Sequence, residues 1–253
     1  MIVLVSEELQ DYCKCPILWE KKYVLKEEPP RDRTSTHFDG HTHIVLEAEK
    51  VIKELVGYYF HRLMDNRQVR YKTLYKRWER QWWEKYTGKE IMEYIVPVSR
   101  ANKVRINTNL INHLPKFYNK FHKPFKPIAL DRKVAFSAHD YLVTSTIQMA
   151  YKLPNGTTRI VKFVPYGIAP NNPKNDLDLV IQACGWMSET EEKEVEIAYY
   201  CMLSPNNYDP FTTVKISDNI FKSLSRLIKA FKDKETILPI SCAGCEYKCE
   251  VNK

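Results

Sequence analysis

Glycine is scarce in this chain, 7 residues in 253, and nowhere do they form a Gly-rich phosphate loop. One common way of cradling a nucleotide is therefore absent. Long apolar runs are absent too: no stretch approaches the ~20 residues that a transmembrane helix needs. The opening MIVLVSEELQ lacks a basic n-region and a long h-region, so it is not a signal peptide, and the chain reads as intracellular. There is no internal repeat and no low-complexity tract. Hydrophobic residues make up 44% and charged residues 28%, an ordinary globular mix that excludes disorder as the main state. The cysteine count is odd, seven, which without a signal peptide argues against a disulfide framework.

What is present is unevenly spread. Lys and Arg total 39 against 31 Asp and Glu. Residues 1–60 carry a net of −3, residues 61–133 a net of +12, and residues 134–253 a net of −1. The whole basic excess thus sits in the middle of the chain. Such a local surplus suggests a polyanion partner, most simply nucleic acid.

The cysteines sort into two kinds. Cys184 and Cys201 stand alone in apolar surroundings (LVIQACGW and IAYYCML) and read as packed thiols. Near the C-terminus, SCAGCEYKCE places Cys242, Cys245 and Cys249 at CxxCxxxC spacing. In a reducing compartment only a metal or a cluster gives such crowding a physical reason. Three thiolates leave a fourth ligand to be found for a tetrahedral zinc or a four-iron cluster. Cys13 and Cys15 are the candidates, and either would join the two ends of the chain like a clasp.

Patterning gives the layout. Residues 6–27 read as helical, with Ser6 as N-cap, Glu7 and Glu8 in the first turn, and a break at Cys15-Pro16. A polar connector covers 27–36. Val45, Leu46, Ile52, Leu55, Val56, Tyr59 and Leu63 keep a period near 3.6 across a helix at about 40–65. The next helix, about 68–86, carries the stripe Tyr71, Tyr75, Trp78, Trp82, Trp83 and Tyr86, which reads as core first. Its other face holds Arg67, Arg70, Lys72, Lys76, Arg77 and Arg80, which could track phosphates. A third helix, about 103–121, adds Lys103, Arg105, Lys116 and Lys120. Beyond Pro127 the period changes to that of three strands, with Asn155-Gly156 as a hairpin turn. A helix at about 176–188, capped by Asp176 or Asn175, follows. Then come a strand in EVEIAYYCML and an amphipathic helix opened by Ser217 or Asp218. The order specifies an α/β domain with a helical insertion.

Several of these segments resemble one family across almost the whole chain: the RecB-like PD-(D/E)XK nucleases, in particular the Fe–S exonuclease branch that includes CRISPR-associated members. SEELQDYCKCPILWEKKY is similar to that family's opening helix. DGHTHIVLEAE resembles the segment in which a Gly precedes a metal-binding His, here His43. QACGW resembles the Gln-xxx-Tyr motif beside the DNA path, with Gln182 retained and Trp186 in place of Tyr. The resemblance implies a restriction-endonuclease-like core, a mixed central sheet flanked by helices, in one domain over 1–253. It implies a basic helical insertion at about 58–126 and a cluster-binding tail at 238–253. It also implies a 4Fe-4S cluster on Cys15, Cys242, Cys245 and Cys249, with zinc as the less favoured occupant.

The catalytic hairpin departs from the family. STIQMAYKLPNGTTRIVKFVPY puts Gln148 at the first acid position, Lys162 at the second and Val164 at the lysine position. Metal-assisted phosphodiester cleavage needs those acids to hold the ion. Without them, and with an ammonium added, a hard divalent cation has little to bind. The reading that follows is a catalytically inactive nuclease-like protein that binds DNA, single-stranded or at ends. Arg67, Arg70, Lys76, Arg77, Arg80, Lys103 and Arg105 are its expected contacts, and other DNA-processing proteins its expected partners in replication, recombination or repair. No membrane partner is expected. Two alternatives stand beside it: an active metal-dependent nuclease using displaced acids such as Glu47, Asp131 or Asp140, and a protein-interaction subunit of a nucleic-acid-processing complex. The wealth of Lys, Asn, Ile and Tyr hints at an A/T-rich genome, with a viral source and a host-cytoplasm location among the options.

Overall fold

A computed structural model describes residues 1–27, 54–86, 126–164, 172–201 and 211–234 of the chain. The expected connector at 27–36, the start of the helix at about 40–65 and the helix at 103–121 lie wholly or mostly outside these residues. So do His43, Glu47, Lys103, Arg105, Cys242, Cys245 and Cys249.

The chain opens with a short strand, β1 (Ile2–Val5), which leads straight into α1 (Ser6–Lys14). The expected break occurs at Cys15: its backbone is extended, and Pro16 starts α2 (Pro16–Trp19) at a first-turn position where a missing N–H costs nothing. A single π-helical stretch, Glu20–Val24, ends this arm. Residues 54–64 form α3, and α4 spans Tyr71–Tyr86.

The middle of the fold is a meander. Strands β2 (Pro127–Ala138), β3 (Tyr141–Lys152) and β4 (Thr158–Val164) pair antiparallel in sequence. Asn155-Gly156 makes the β3–β4 turn as expected. Gly156 takes φ 85°, a left-handed conformation that favours glycine, and the Asn155 side chain accepts from Thr157 N at 3.1 Å. Helix α5 (Leu177–Thr190) returns the chain so that β5 (Glu194–Cys201) runs parallel to β4. Strand β6 (Phe211–Ser217) then pairs antiparallel with β5, and α6 (Ile220–Lys232) closes the described chain.

Together they make a mixed six-stranded sheet flanked by helices. On one side of the sheet, α1, α5 and α6 bury Leu9, Tyr12, Leu179, Ile181, Leu224 and Ile228 against strand residues such as Val143, Ile160 and Ile197. On the other side, α3 and α4 bury Tyr59, Phe60, Leu74 and Trp78 against Met149, Val161, Phe163 and Tyr200. The period-2 alternation of strands thus separates two cores. Trp78, Tyr71 and Tyr75 of the aromatic stripe belong to the second core or pack on it, which matches the core assignment.

One pairing detail positions everything that follows. Strand β2 occupies one edge of β3 along its length. The opposite edge is shared by β1, parallel from Ile2↔Tyr141 to Val5↔Thr144, and by β4, antiparallel from Met149↔Val161 to Lys152↔Thr158. Between them, Ser145 to Gln148 have no strand partner on that edge. The sheet is split there, because β4 leaves β3 at Lys162 and continues along β5 to Val164↔Cys201.

Candidate functional site

The split leaves backbone groups of β3 and of the end of β4 without a ladder between them, and buried backbone groups must be satisfied. Gln148 supplies one partner: its Oε1 accepts from Phe163 N at 2.9 Å, so a side chain spans the opening where strand pairing stops. On the α5 side of the split, polar side chains converge from five elements. Asp176 caps α5 as expected, its Oδ1 accepting from Asp178 N at 3.0 Å and Leu179 N at 3.3 Å. Its other oxygen accepts from Lys162 Nζ at 2.8 Å and from Tyr199 Oη at 2.7 Å. Asp178, one residue into the helix, accepts on Oδ1 from both Ser6 Oγ and Ser145 Oγ at 2.6 Å. Its Oδ2 accepts from Gln182 Nε2 at 3.0 Å and faces Lys162 Nζ at 3.4 Å. Ser6 therefore does not cap α1: it is the first helical residue, after Val5 at the cap position, and its hydroxyl ties the helix start to α5.

The electrostatics are those of two carboxylates around one ammonium. Burial alone would raise Asp176, but the hydrogen bonds from Lys162 and Tyr199, the Lys162 charge and the α5 amides hold it below the usual carboxylate value. Both carboxylates stand at the positive end of the α5 dipole, which favours anions. Gln182 is 1% exposed, and its Oε1 is buried without a hydrogen-bond partner. The cluster opens on a cleft of about 710 Å³ lined by Val5, Ser6, Thr144, Ser145, Lys162 and Asp178 among others.

Set against the sequence positions, the structure brings Lys162 and Gln182 to one centre, and puts Gln148 at the split itself. Val164 packs on the apolar core. Trp186 is buried, donates to Glu192 at 3.0 Å and lies under the Arg132 guanidinium at 5.0 Å; it does not line the cleft. Of the proposed displaced acids, Asp131 pairs with His61 at 3.6 Å and Asp140 pairs with Lys232 in the β2–β3 turn. Neither joins the cluster. The acids that do join it, Asp176 and Asp178, were legible in sequence only as a helix start. The available signal was Asp-x-Asp opening the helix that follows a strand that carries a lysine.

The basic residues divide differently from their sequence grouping. Arg67, Arg70, Lys72, Lys76 and Arg80 are exposed. Arg77 is half-buried and stacks over the Tyr58 ring at 4.2 Å, so its place is between helices rather than among the exposed cations.

At the amino-terminal arm, Cys15 is 6% exposed at the α1–α2 break. Cys13 packs on the core, and burial pushes its thiol up to about 11. Cys184 is a packed thiol, as expected, pushed up to about 12 by burial. The end of α6 docks on the same arm: Phe231 meets Tyr12 at 4.9 Å and Trp19 at 5.2 Å, ring edge to face. Among the described residues no group of three or more His, Cys, Asp or Glu side chains is placed to hold a metal ion.

No family profile matches the chain, and no curated protein matches it. Among solved structures, it is similar to a protein named as a candidate exonuclease from Eubacterium rectale, at 11% identity and TM-score 0.47 over 99% of this chain and 90% of that one. It is also similar to the protein SSO0001, at 12% identity and TM-score 0.37 over 67% of this chain and 79% of that one.

Proposed function

We propose that the chain is a non-catalytic nucleic-acid-binding protein with a nuclease-like core, acting as an accessory to DNA processing. One observation carries this reading: the Lys162 ammonium lies between Asp176 and Asp178, at 2.8 and 3.4 Å. A divalent cation would need that same space between the two carboxylates. A lysine there occupies that position and cuts the formal charge of the pair from −2 to −1, so the centre offers a metal a weaker potential and a filled site. The family's acid positions support the same conclusion, because Gln148 spends its oxygen on the Phe163 amide. Nucleic-acid binding is supported by the exposed cations of residues 67–80.

The test is incubation of the full chain with labelled single- and double-stranded DNA, with and without Mg²⁺ or Mn²⁺. Binding without cleavage is expected. Metal-dependent cleavage that Asp178→Asn abolishes would overturn it, since it would mean that Lys162 yields its place to an ion.

A four-iron cluster on Cys15, Cys242, Cys245 and Cys249 belongs to the same proposal. It is supported by the position of the α6 end beside the arm that carries Cys15. From Lys234 to Cys242 the chain can reach about 28 Å when extended, ample for a clasp. Cys15 rather than Cys13 is the ligand that the resemblance of the opening helix implies. The cluster would supply a fold-closing crosslink rather than chemistry at the split.

A further inference from the structure

Several cations outside the cluster have acidic partners. Lys22 pairs with Asp11, Arg132 with Glu189, Lys152 with Glu192 and Lys215 with Glu194. Residues 66–78 contain no Asp or Glu, and Arg67, Arg70, Lys72 and Lys76 are exposed. None of these four makes an ion pair among the described residues. Their position is also electrostatically adverse. The Arg70 carbonyl accepts from Thr73 N at 2.9 Å and from Leu74 N at 3.3 Å, so Arg70 stands at the N-cap of α4, and no acid occupies the first turn. Cations at a helix N-terminus oppose the macrodipole. On α6, exposed Lys229 sits in the last turn, where positive charge is favoured, while Lys222 alone stands near the helix start.

This patch is on the far side of the sheet from the split. Val69, Leu74 and Trp78 pack with Met149, Val161 and Phe163 in the second core, whereas Asp176 and Asp178 belong to the α5 side. Resting on the nucleic-acid reading above, we infer that the strand runs along the start of α4, on the opposite face from the cleft, held by its phosphates on Arg67, Arg70, Lys72 and Lys76. The chemistry favours nucleic acid over other polyanions. Tyr71 and Tyr75 are part-exposed between these cations, with rings 6.3 Å apart, and aromatic faces interleaved with cations suit stacked bases. An anionic membrane would want apolar anchors. The exposed large apolar side chains among the described residues are at 1–3, 5, 24–25 and 128, not on this patch.

The test measures binding of a fluorescein-labelled single-stranded 20-mer to the full chain across a potassium chloride series. In Arg67→Gln/Arg70→Gln/Lys72→Gln/Lys76→Gln, affinity at low salt should fall by at least tenfold. The log–log salt slope should shrink by about 0.7 per lost contact. The melting temperature of that variant should be unchanged or higher, because the adverse charges are gone, so lost binding will not reflect lost fold. Lys133→Gln, at the mouth of the cleft, should bind like the parent. If the quadruple variant binds normally and Lys133→Gln does not, the strand runs through the cleft, and this inference falls while the nucleic-acid reading stands. If the unaltered chain binds no DNA or RNA at low salt, both fall; binding to phosphatidylserine vesicles instead would also overturn the inference.

Discussion

Lys162 Nζ lies 2.8 Å from Asp176 Oδ2, which makes a β-strand lysine the counter-ion of a helix cap. The same ammonium faces Asp178 at 3.4 Å, and Asp178 in turn gathers Ser6 from the chain's start and Ser145 from the split strand. A lysine in this position does the electrostatic work of a bound cation and brings its own covalent tether. Its loss therefore exposes two carboxylates at once.

Replacing Lys162 with Met should lower stability by about 1–3 kcal/mol. That is less than the ~3–5 kcal/mol cost of breaking a fully buried pair, because the Lys162 side chain is 29% exposed. Mn²⁺ should then raise the melting temperature of Lys162→Met while leaving the unaltered protein indifferent, since ligand binding to the folded state stabilises by mass action. A variant that melts earlier but ignores Mn²⁺ would show that the carboxylates are not arranged for a cation.

The acid limb of stability should respond to the same pair. The folded value of Asp176 is held below the unfolded one despite burial. Its contribution is therefore complete above the unfolded pKa of about 3.9 and is lost as pH falls through the folded value. In Lys162→Met the folded value moves up and the loss begins at higher pH. Melting temperatures from pH 7 to pH 3 should show the variant's decline starting earlier; parallel curves would remove Lys162 as the cause.

The hairpin, the α5 cap and the packed aromatics were legible because their signals are local. Asn155-Gly156 fixes a turn by its own backbone preference, and Asp176 caps the helix it begins. Strands β1 and β6 were not legible. IVLV is four residues long and runs straight into a helix, so no turn marks its end. FTTVKIS leads into an amphipathic helix after only two intervening residues. The site was half legible: Lys162 stood out as a misplaced charge, but its partners could not be named. Ser6 and Asp178 meet across 172 residues of chain, and only the fold supplies such a contact.

Gly185 is required by a close crossing of α5 over β2. A Cβ there would stand 2.8 Å from Val134 Cβ and Cγ2 and 3.2 Å from the Ala135 amide nitrogen. Gly185→Ala gains helix propensity of about 1 kcal/mol, yet the overlap involves a branched carbon close to the backbone and leaves little room to yield. The net effect should be a loss of about 1–2 kcal/mol. Denaturant midpoints decide the sign, and Val134→Ala in the same chain should recover part of any loss. A more stable Gly185→Ala would mean that the two elements separate more easily than their packing implies.

The cysteine clasp makes the most separable prediction, because its two amino-terminal candidates differ in environment. Cys13 packs on the core, and burial pushes its thiol up to about 11, which raises the cost of turning it into a thiolate ligand. Cys15 occupies the helix break, on the arm to which the end of α6 is bound through Phe231. Anaerobically purified protein should be brown and carry iron. Cys15→Ser should lose both colour and iron and should melt at a lower temperature, because metal affinity is coupled to folding. Cys13→Ser should retain the colour. Elemental analysis of the three proteins separates the outcomes: zinc in place of iron keeps the clasp and changes its occupant, metal lost only from Cys13→Ser exchanges the ligands, and no metal in any of them removes the clasp. In that last case the Tyr12, Trp19 and Phe231 junction alone would hold the end of α6 against the amino-terminal arm.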